Sequence, residues 1–535
     1  MLPTAAQKAV DAQIPPINPI LGKGLATYHM KEIESFIDSI FLSVAPDFPP
    51  GLKYLGSKRC DPSQELKLLS SGNNNKKTYD ISRTDRTTVE YQFEFEGKVF
   101  RRYLQIPYVN EAGTIFISGS RFNISPVLAD RVVSIGFKDV FIRLLKARLT
   151  IRSDTYQYVA DGFPENVKVV HSRIHNNKPT GLGKGVIRLN HTLGHYLFCQ
   201  FGFTQVFQKF CGFKPEVGLF ELEDKEKYPD KHWVICKSSQ KMRGLRMGQT
   251  PTEIRVAVPR DKYTETVKSL IACFFYVVDK FPDRVRAQYL EQTAMWRVLL
   301  GHAIWPGDHS EGKLLSDVCD HFDSLGSYLD PYSHAKLVEI GLPCEDIYDL
   351  LFKIIENFNS WMMNSTDSVS TMYGKELNVL MFVCSDFINA INNMSFKLAS
   401  AAKKDMSLKH IENVMKTYLK PGLMFALKNE HGEVSTTFTS GDNMALKITN
   451  LLVPQTKSTK SASARNTVIN DPALFLHASI AEVGGYRSMP KASPDGRSRL
   501  NLRVQIGPTG LIMRSKTHER LLDDVQQMIR RDNLV

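Results

Sequence analysis

Four groups of side chains have the types and spacing to do chemistry. Gly181-Leu182-Gly183-Lys184-Gly185 is glycine-rich with a lysine. A phosphate loop needs G-x-x-x-x-G-K-[ST], so that successive backbone N–H groups wrap the phosphate. Here the spacing differs and no Ser or Thr follows Lys184, so a flexible turn is expected. His191 and His195 are four apart, like the zinc pair of H-E-x-x-H, but Thr192 stands where the general base belongs. Asp317, Asp320 and Asp323 could hold Mg²⁺, as in a metal nuclease. On a helix their spacing sweeps around the face, and a solvated face is the plainer reading. The eight cysteines, Cys60 to Cys384, are scattered without a CxxC, which writes neither a zinc ribbon nor a disulfide framework. No Ser/His/Asp or Cys/His set stands out. The expectation is a chain with no catalytic residue, no metal and no cofactor of its own.

The charge points elsewhere. The 535 residues carry a net +12, with pI near 9.1, which favours polyanionic partners. From Leu451 to Val535 there are 13 Lys/Arg against 7 Asp/Glu, so 85 residues hold half of the surplus. That is either a footprint of phosphate contact or a solubilising surface. Residues 454–467, PQTKSTKSASARNT, hold no acid and no large apolar side chain. They cannot build core and are expected to form an exposed basic loop. Apolar stretches such as Leu377 to Val383 are far shorter than the ~20 residues of a membrane span. The N-terminus has no signal-type apolar core. A soluble intracellular protein is expected.

The elements that would position such a loop read as a multidomain α+β chain of two to four domains. Residues 1–25 carry PP and NP and read as an arm; 28–45 suit a helix; the polar 57–78 suits a loop. Val89, Tyr91, Phe93 and Phe95 alternate with polar residues, a strand face. Glu96-Gly97 is a turn, Val99 to Ile106 returns as a second strand, and Thr114 to Ser118 forms another. Residues 137–149 suit a helix or a strand. Residues 150–260 read as short strands and loops. Helices are expected at 264–280, 345–363, 377–399, 407–419 and Glu519 to Arg531, the second from Ile347, Leu350, Leu351, Ile354, Ile355, Phe358 and Met362 at helical spacing.

Three colinear segments resemble a known family. Ile106-Pro107, Gly113-Thr114, Ile117 and Gly119 match the form I-P-x(5)-G-T-x-x-I-x-G. This is similar to the "IPLM…GTFIING" signature of β-type (second-largest) subunits of multisubunit DNA-dependent RNA polymerases. Asp367 with Tyr373-Gly374-Lys375-Glu376-Leu377 resembles that family's D-x-x-x-H-x-G-N-[KR]-R, without the histidine. Pro490 to Gly496 is similar to P-x-E-[TS]-P-E-G, with Ala492 for the first Glu. Leu500 to Gln505 and Gly510-Leu511-Ile512 look like L-S-V-Y-A-Q…G-F-L, and His477-Ala478-Ser479 like V-H-P-[ST].

The resemblance implies the N-terminal half of a β subunit, split off as in giant phiKZ-type bacteriophages. It implies a discontinuous protrusion (25–150 and 326–430) after an arm (1–24), an inserted lobe (151–325), and a fork (431–535) ending in a helix. It implies β′-like subunits and a C-terminal β-like chain as partners, with template DNA and the RNA–DNA hybrid. The Mg²⁺ ions would be held by the β′-like subunit. Lys457, Lys460 and Arg465 would contact phosphates from the fork loop, with Arg487, Lys491, Arg497, Arg499 and Arg503 beside them. The setting would be an infected bacterial cell, in cytoplasm or a phage-made compartment, or the virion itself. The alternative function is a non-enzymatic basic DNA-binding or virion-packaged protein.

Overall fold

The computed structural model describes residues 30–71, 84–109, 114–117, 119–124, 127–135, 139–145, 147–172, 191–239, 253–282, 284–305, 307, 309–364, 372, 375–401, 407–420, 425, 436–438, 452–454, 497–499, 504–507 and 510–513. The chain divides into two compact units, residues 1–134 with 367–535, and residues 135–366.

In the first unit, strands Leu52–Arg59, Arg86–Phe95 and Lys98–Pro107 form an antiparallel sheet in that order. Glu96 and Gly97 both take positive φ, 49° and 79°, the requirement of a type I′ hairpin turn. The expected alternation holds: Val89, Tyr91, Phe93 and Phe95 are buried. They face helix Ile33–Val44, whose Phe41 ring lies 5.1 Å from Tyr91 and 5.6 Å from Phe93. Phe41 also meets Phe387 at 5.7 Å, which seats helix Ser385–Ala401 on the same core. Asp38 ties helix to sheet by accepting from Tyr54 Oη (2.5 Å) and Ser57 Oγ (2.9 Å).

Two expectations fail in this unit. The polar stretch 57–78 is not all loop. Its start completes a strand, and Pro62–Ser71 is a helix. Proline at the first helical position loses no hydrogen bond, and Glu65 accepts from Thr88 Oγ1 at 2.6 Å. Likewise 377–399 is not continuously helical. Lys375–Asn378 is a strand paired with Val127–Asp130, and Asn378 Oδ1 then accepts the Met381 N–H at 3.1 Å, which opens helix Leu380–Val383. Helix Leu408–Tyr418 agrees with expectation. The arm and the closing helix at Glu519 to Arg531 lie outside the described residues.

The second unit is built on a 13-residue strand, Arg148–Ala160. One edge pairs along its length with Phe163–Ser172. The other pairs with Val140–Arg143 at its start and Trp233–Ser238 at its end. Arg255–Pro259 and Glu216–Gly218 extend the sheet beyond Trp233–Ser238. Within the segment 137–149, open between helix and strand, the described residues include strand Val140–Arg143 and the start of Arg148–Ala160. The segment 150–260 is more regular than its sequence suggested, with long strands and two helices, Leu193–Phe201 and Phe203–Cys211. These join helices Glu265–Lys280, Thr293–Ile304, Glu311–Leu325 and Ile347–Asn364. Their core is aromatic: Phe203 and Phe274 lie 4.2 Å apart, and Phe198 and Trp296 5.2 Å.

Helices Leu193–Phe201 and Glu265–Lys280 approach closely at Gly194. A Cβ there would stand 2.7 Å from Cys273 Cβ, an atom bonded directly to its helix backbone that cannot swing aside. Gly194→Ala is expected to destabilise this unit by roughly 1–3 kcal/mol. Urea unfolding checks it; an unchanged midpoint would mean that the helices separate at no cost.

Candidate nucleic-acid interface

Described residues of all three family-like segments lie in the first unit. Thr114–Ile117 pairs with Ser120–Ile124, which pairs in turn with Thr436–Phe438. Asp85, buried and unremarked in the sequence, pins the first segment. Its backbone N–H donates to Phe116 O (2.8 Å), its Oδ2 accepts from Phe116 N (3.0 Å), and its carbonyl accepts from Tyr108 N (3.1 Å). The chain then runs into Val127–Asp130, the partner strand of Lys375–Asn378. So the second segment pairs with the strand that follows the first, in a sheet separate from that of Thr114–Ile117.

The third segment joins the second directly. Leu377 N–H donates to Gly510 O at 2.8 Å, and Glu376 bridges to Leu511. Gln505–Ile506 pairs with Ile512–Met513 across a tight turn closed by Gly507 N to Leu511 O (2.8 Å) and Gly510 N to Gly507 O (3.0 Å). Val504, Ile506 and Ile512 are buried, so this small hairpin is rooted by apolar contact.

Strand Leu452–Pro454 packs near Val127–Asp130 and pairs antiparallel with Arg497–Arg499, Pro454 opposite Arg497. This pairing brings together the two ends of the 42-residue segment 455–496. That segment carries Lys457, Lys460, Arg465, Arg487 and Lys491 against Asp471, Glu482 and Asp495. Of the sequence-selected cations, Arg497 and Arg499 fall on the described strand. Lys457, Lys460, Arg465, Arg487, Lys491 and Arg503 lie outside the described residues.

One more cation belongs to this unit's frame. Arg102 is largely buried on strand Lys98–Pro107, donates from Nη2 to Glu412 O (3.1 Å), and faces the Glu412 carboxylate at 3.9 Å. It fastens helix Leu408–Tyr418 to the sheet. Only a register already in hand would have singled out Asp85 or Arg102, because both bonds span long stretches of chain.

The histidines and aspartates singled out in the sequence are placed as follows. His191 precedes the N-cap Thr192 of helix Leu193–Phe201 and His195 sits in its first turn, so the pair does not share a helix face. His195 is buried, with Nε2 3.0 Å from Trp296 O. Asp320 and Asp323 are exposed and Asp317 half-buried along helix Glu311–Leu325. Among the described residues, no group of three or more His, Cys, Asp or Glu is placed to hold a metal ion. Gly181 to Gly185 lies outside the described residues.

His195 gives a pH signature. Burial pushes its pKa down to about 4, from an ordinary value near 6.5. The unfolded chain therefore binds a proton that the folded unit refuses. The stability due to neutral His195 is present above about pH 6.5 and is lost as pH falls toward 4, by about 3 kcal/mol in all. His195→Gln is expected to flatten that acid limb in urea midpoints taken from pH 7 to pH 4. An unchanged limb would assign it to carboxylates instead.

Among the described residues no helix is long and apolar enough to cross a membrane. The model of a protein family described as "non-virion RNA polymerase subunit" matches residues 8–511. No curated protein matches the chain.

Proposed function

The chain belongs to the non-virion RNA polymerase subunit family, and from that premise we propose that it is the N-terminal half of a β-like subunit. The enzyme it serves is a nucleotidyltransferase assembled from several chains. In this reading the lobe (151–325) falls within the second unit, the fork (431–535) within the first, and the protrusion (25–150 and 326–430) draws on residues of both. The chain forms one wall of the DNA cleft, with the fork where downstream duplex opens and the hybrid begins. The family description also favours action in the infected cell over passage in the virion.

The observation that carries the reading is that described parts of the three family-like segments fall in one unit. They are far apart in sequence, yet the strand that follows the first pairs with the second, and the second meets the third through the Leu377–Gly510 hydrogen bond. A basic DNA-binding protein acting outside a polymerase would not need that arrangement, and it does not account for the family match.

Phosphoryl transfer to an RNA 3′-hydroxyl with two Mg²⁺ ions needs positioned strands as much as it needs metal. The metal ligands are assigned to a β′-like partner. This chain's part is to hold phosphates. Lys457, Lys460 and Arg465, with Arg487, Lys491, Arg497, Arg499 and Arg503 as further contacts, neutralise backbone charge. They fix register without reading sequence.

The test is a gentle affinity purification from infected cells, with co-purifying chains identified and assayed for template-dependent RNA synthesis. Recovery of β′-like chains and a C-terminal β-like chain supports the assignment. Recovery of a complete β-like chain from another gene would overturn it, leaving this protein a different subunit of the same enzyme.

A further inference from the structure

The second unit presents one aromatic side chain in a manner that its own fold does not use. Strands Arg148–Ala160 and Phe163–Ser172 are joined by the two-residue turn Asp161-Gly162. Both turn residues take positive φ, 49° and 83°, a type I′ turn whose twist suits the strands. The first residue after it is Phe163, 76% exposed and the most exposed of the large apolar side chains described. Its cross-strand partner is Ala160, too small to cover a phenyl ring. Among the described residues it makes no ring or cation contact.

The tip is stiff. The Asp161 N–H donates to Ile235 O (3.0 Å) and its Oδ1 accepts the Ile235 N–H (3.0 Å), so the turn is bolted to the neighbouring strand. Its other oxygen is paired with Arg260, which is itself held by Asp230 O (2.8 Å) and Trp233 O (3.2 Å). Pro164 follows Phe163 and fixes its own φ on an edge strand, where a missing N–H costs little. An apolar group held this firmly loses little conformational freedom on docking, which is what makes an effective anchor.

The surrounding charge selects the kind of partner. Asp161 is paired with Arg260, and Glu165 with Lys268 at 2.8 Å. Lys268 is shared with Glu265 at 3.0 Å, and Lys225, which also feels Asp161, is paired with Asp230 at 2.6 Å, so the cations near the tip are taken up by acids and no basic surplus faces a phosphate backbone. A neutral, hydrogen-bonded rim around a protruding aromatic group matches the anatomy of a protein–protein hot spot. It does not match a wedge for nucleic acid, which needs cations beside it.

We propose that the Phe163 tip is a docking knob that inserts into an apolar recess on another protein chain of the polymerase. This rests on membership of a polymerase-subunit family, which supplies partner chains, and not on the β-like assignment.

The experiment uses the assembled enzyme carrying Phe163→p-benzoylphenylalanine, a photo-crosslinker that leaves an aromatic group at the tip. Irradiation is expected to join this chain to one other protein subunit. Crosslinks to template DNA or RNA, or none above those of a control at Lys313, exposed on helix Glu311–Leu325, overturn the proposal. In parallel, Phe163→Ser is expected to weaken association of this chain with the other subunits by about tenfold or more. That loss should change little with salt, since no ion is released. The isolated chain's thermal midpoint should stay unchanged, because an exposed side chain contributes no core. Equal retention of Phe163→Ser and the parent chain at low subunit concentration would also sink the idea. A partner identified as other than β′-like or β-like would count against the subunit assignment above while leaving the knob intact.

Discussion

Replacing Lys457, Lys460 and Arg465 together with serine is expected to weaken nucleic-acid retention by the assembled enzyme on the order of a hundredfold at ~0.1 M salt. The argument is one of counterions. Each cation that neutralises a backbone phosphate releases roughly 0.7–0.9 of a condensed ion, so log K falls with log salt in proportion to the contacts made. Removing three contacts should lower the magnitude of that slope by roughly 2 to 3. The loss should be uniform across template sequences, because phosphate contacts carry no base information. A control at Lys416, exposed and paired with Glu412 at 3.5 Å on helix Leu408–Tyr418, should leave the slope alone. If the triple variant keeps the parent slope, the basic segment faces solvent or a neighbouring subunit's acids, and the phosphate role is lost with it.

The largest expected effect on stability is at Trp296. Its side chain is wholly buried, with Phe198 at 5.2 Å, Phe274 at 6.0 Å and His195 at 5.9 Å. The indole Nε1–H donates to Leu290 O at 2.8 Å. Trp296→Ala would empty that volume and leave the Leu290 carbonyl without a donor, at a cost of about 3–5 kcal/mol. Hydrogen exchange should register it as lost protection in helices Leu193–Phe201, Glu265–Lys280 and Thr293–Ile304. A loss below about 1 kcal/mol would mean that the surrounding rings collapse into the space, the behaviour of a soft core.

How much could be read from the chain alone depended on whether the signal was local. The hairpin at Glu96-Gly97 was legible because an alternating apolar face and a turn glycine sit side by side. The helices at 265–280 and 347–364 were legible from their apolar period. Pro62–Ser71 was not, because its polar composition outweighed the proline that opens it. Asp161-Gly162 carried the same hairpin signal as Glu96-Gly97 but passed unnoticed among flanking strands of mixed polarity. Lys375–Asn378 was hidden at the front of the apolar stretch Val379–Val383 that continues as helix, and only pairing with Val127–Asp130, some 250 residues earlier, makes it a strand. The root of the candidate interface is of that second kind. Its pieces were visible as motifs, but their meeting depends on bonds such as Leu377 to Gly510 that no spacing rule encodes. The cations themselves were chosen on composition, which says where charge is and not what it touches.

The pairing of Pro454 with Arg497 makes the length of segment 455–496 nearly a free variable. Once two ends are clamped by strand hydrogen bonds, doubling or halving the chain between them changes the closure entropy by only about 0.6 kcal/mol. The two-stranded clamp is thus nearly neutral, in closure entropy, to the number of residues it spans. The charges between its ends can be exchanged one at a time without altering what closing it costs.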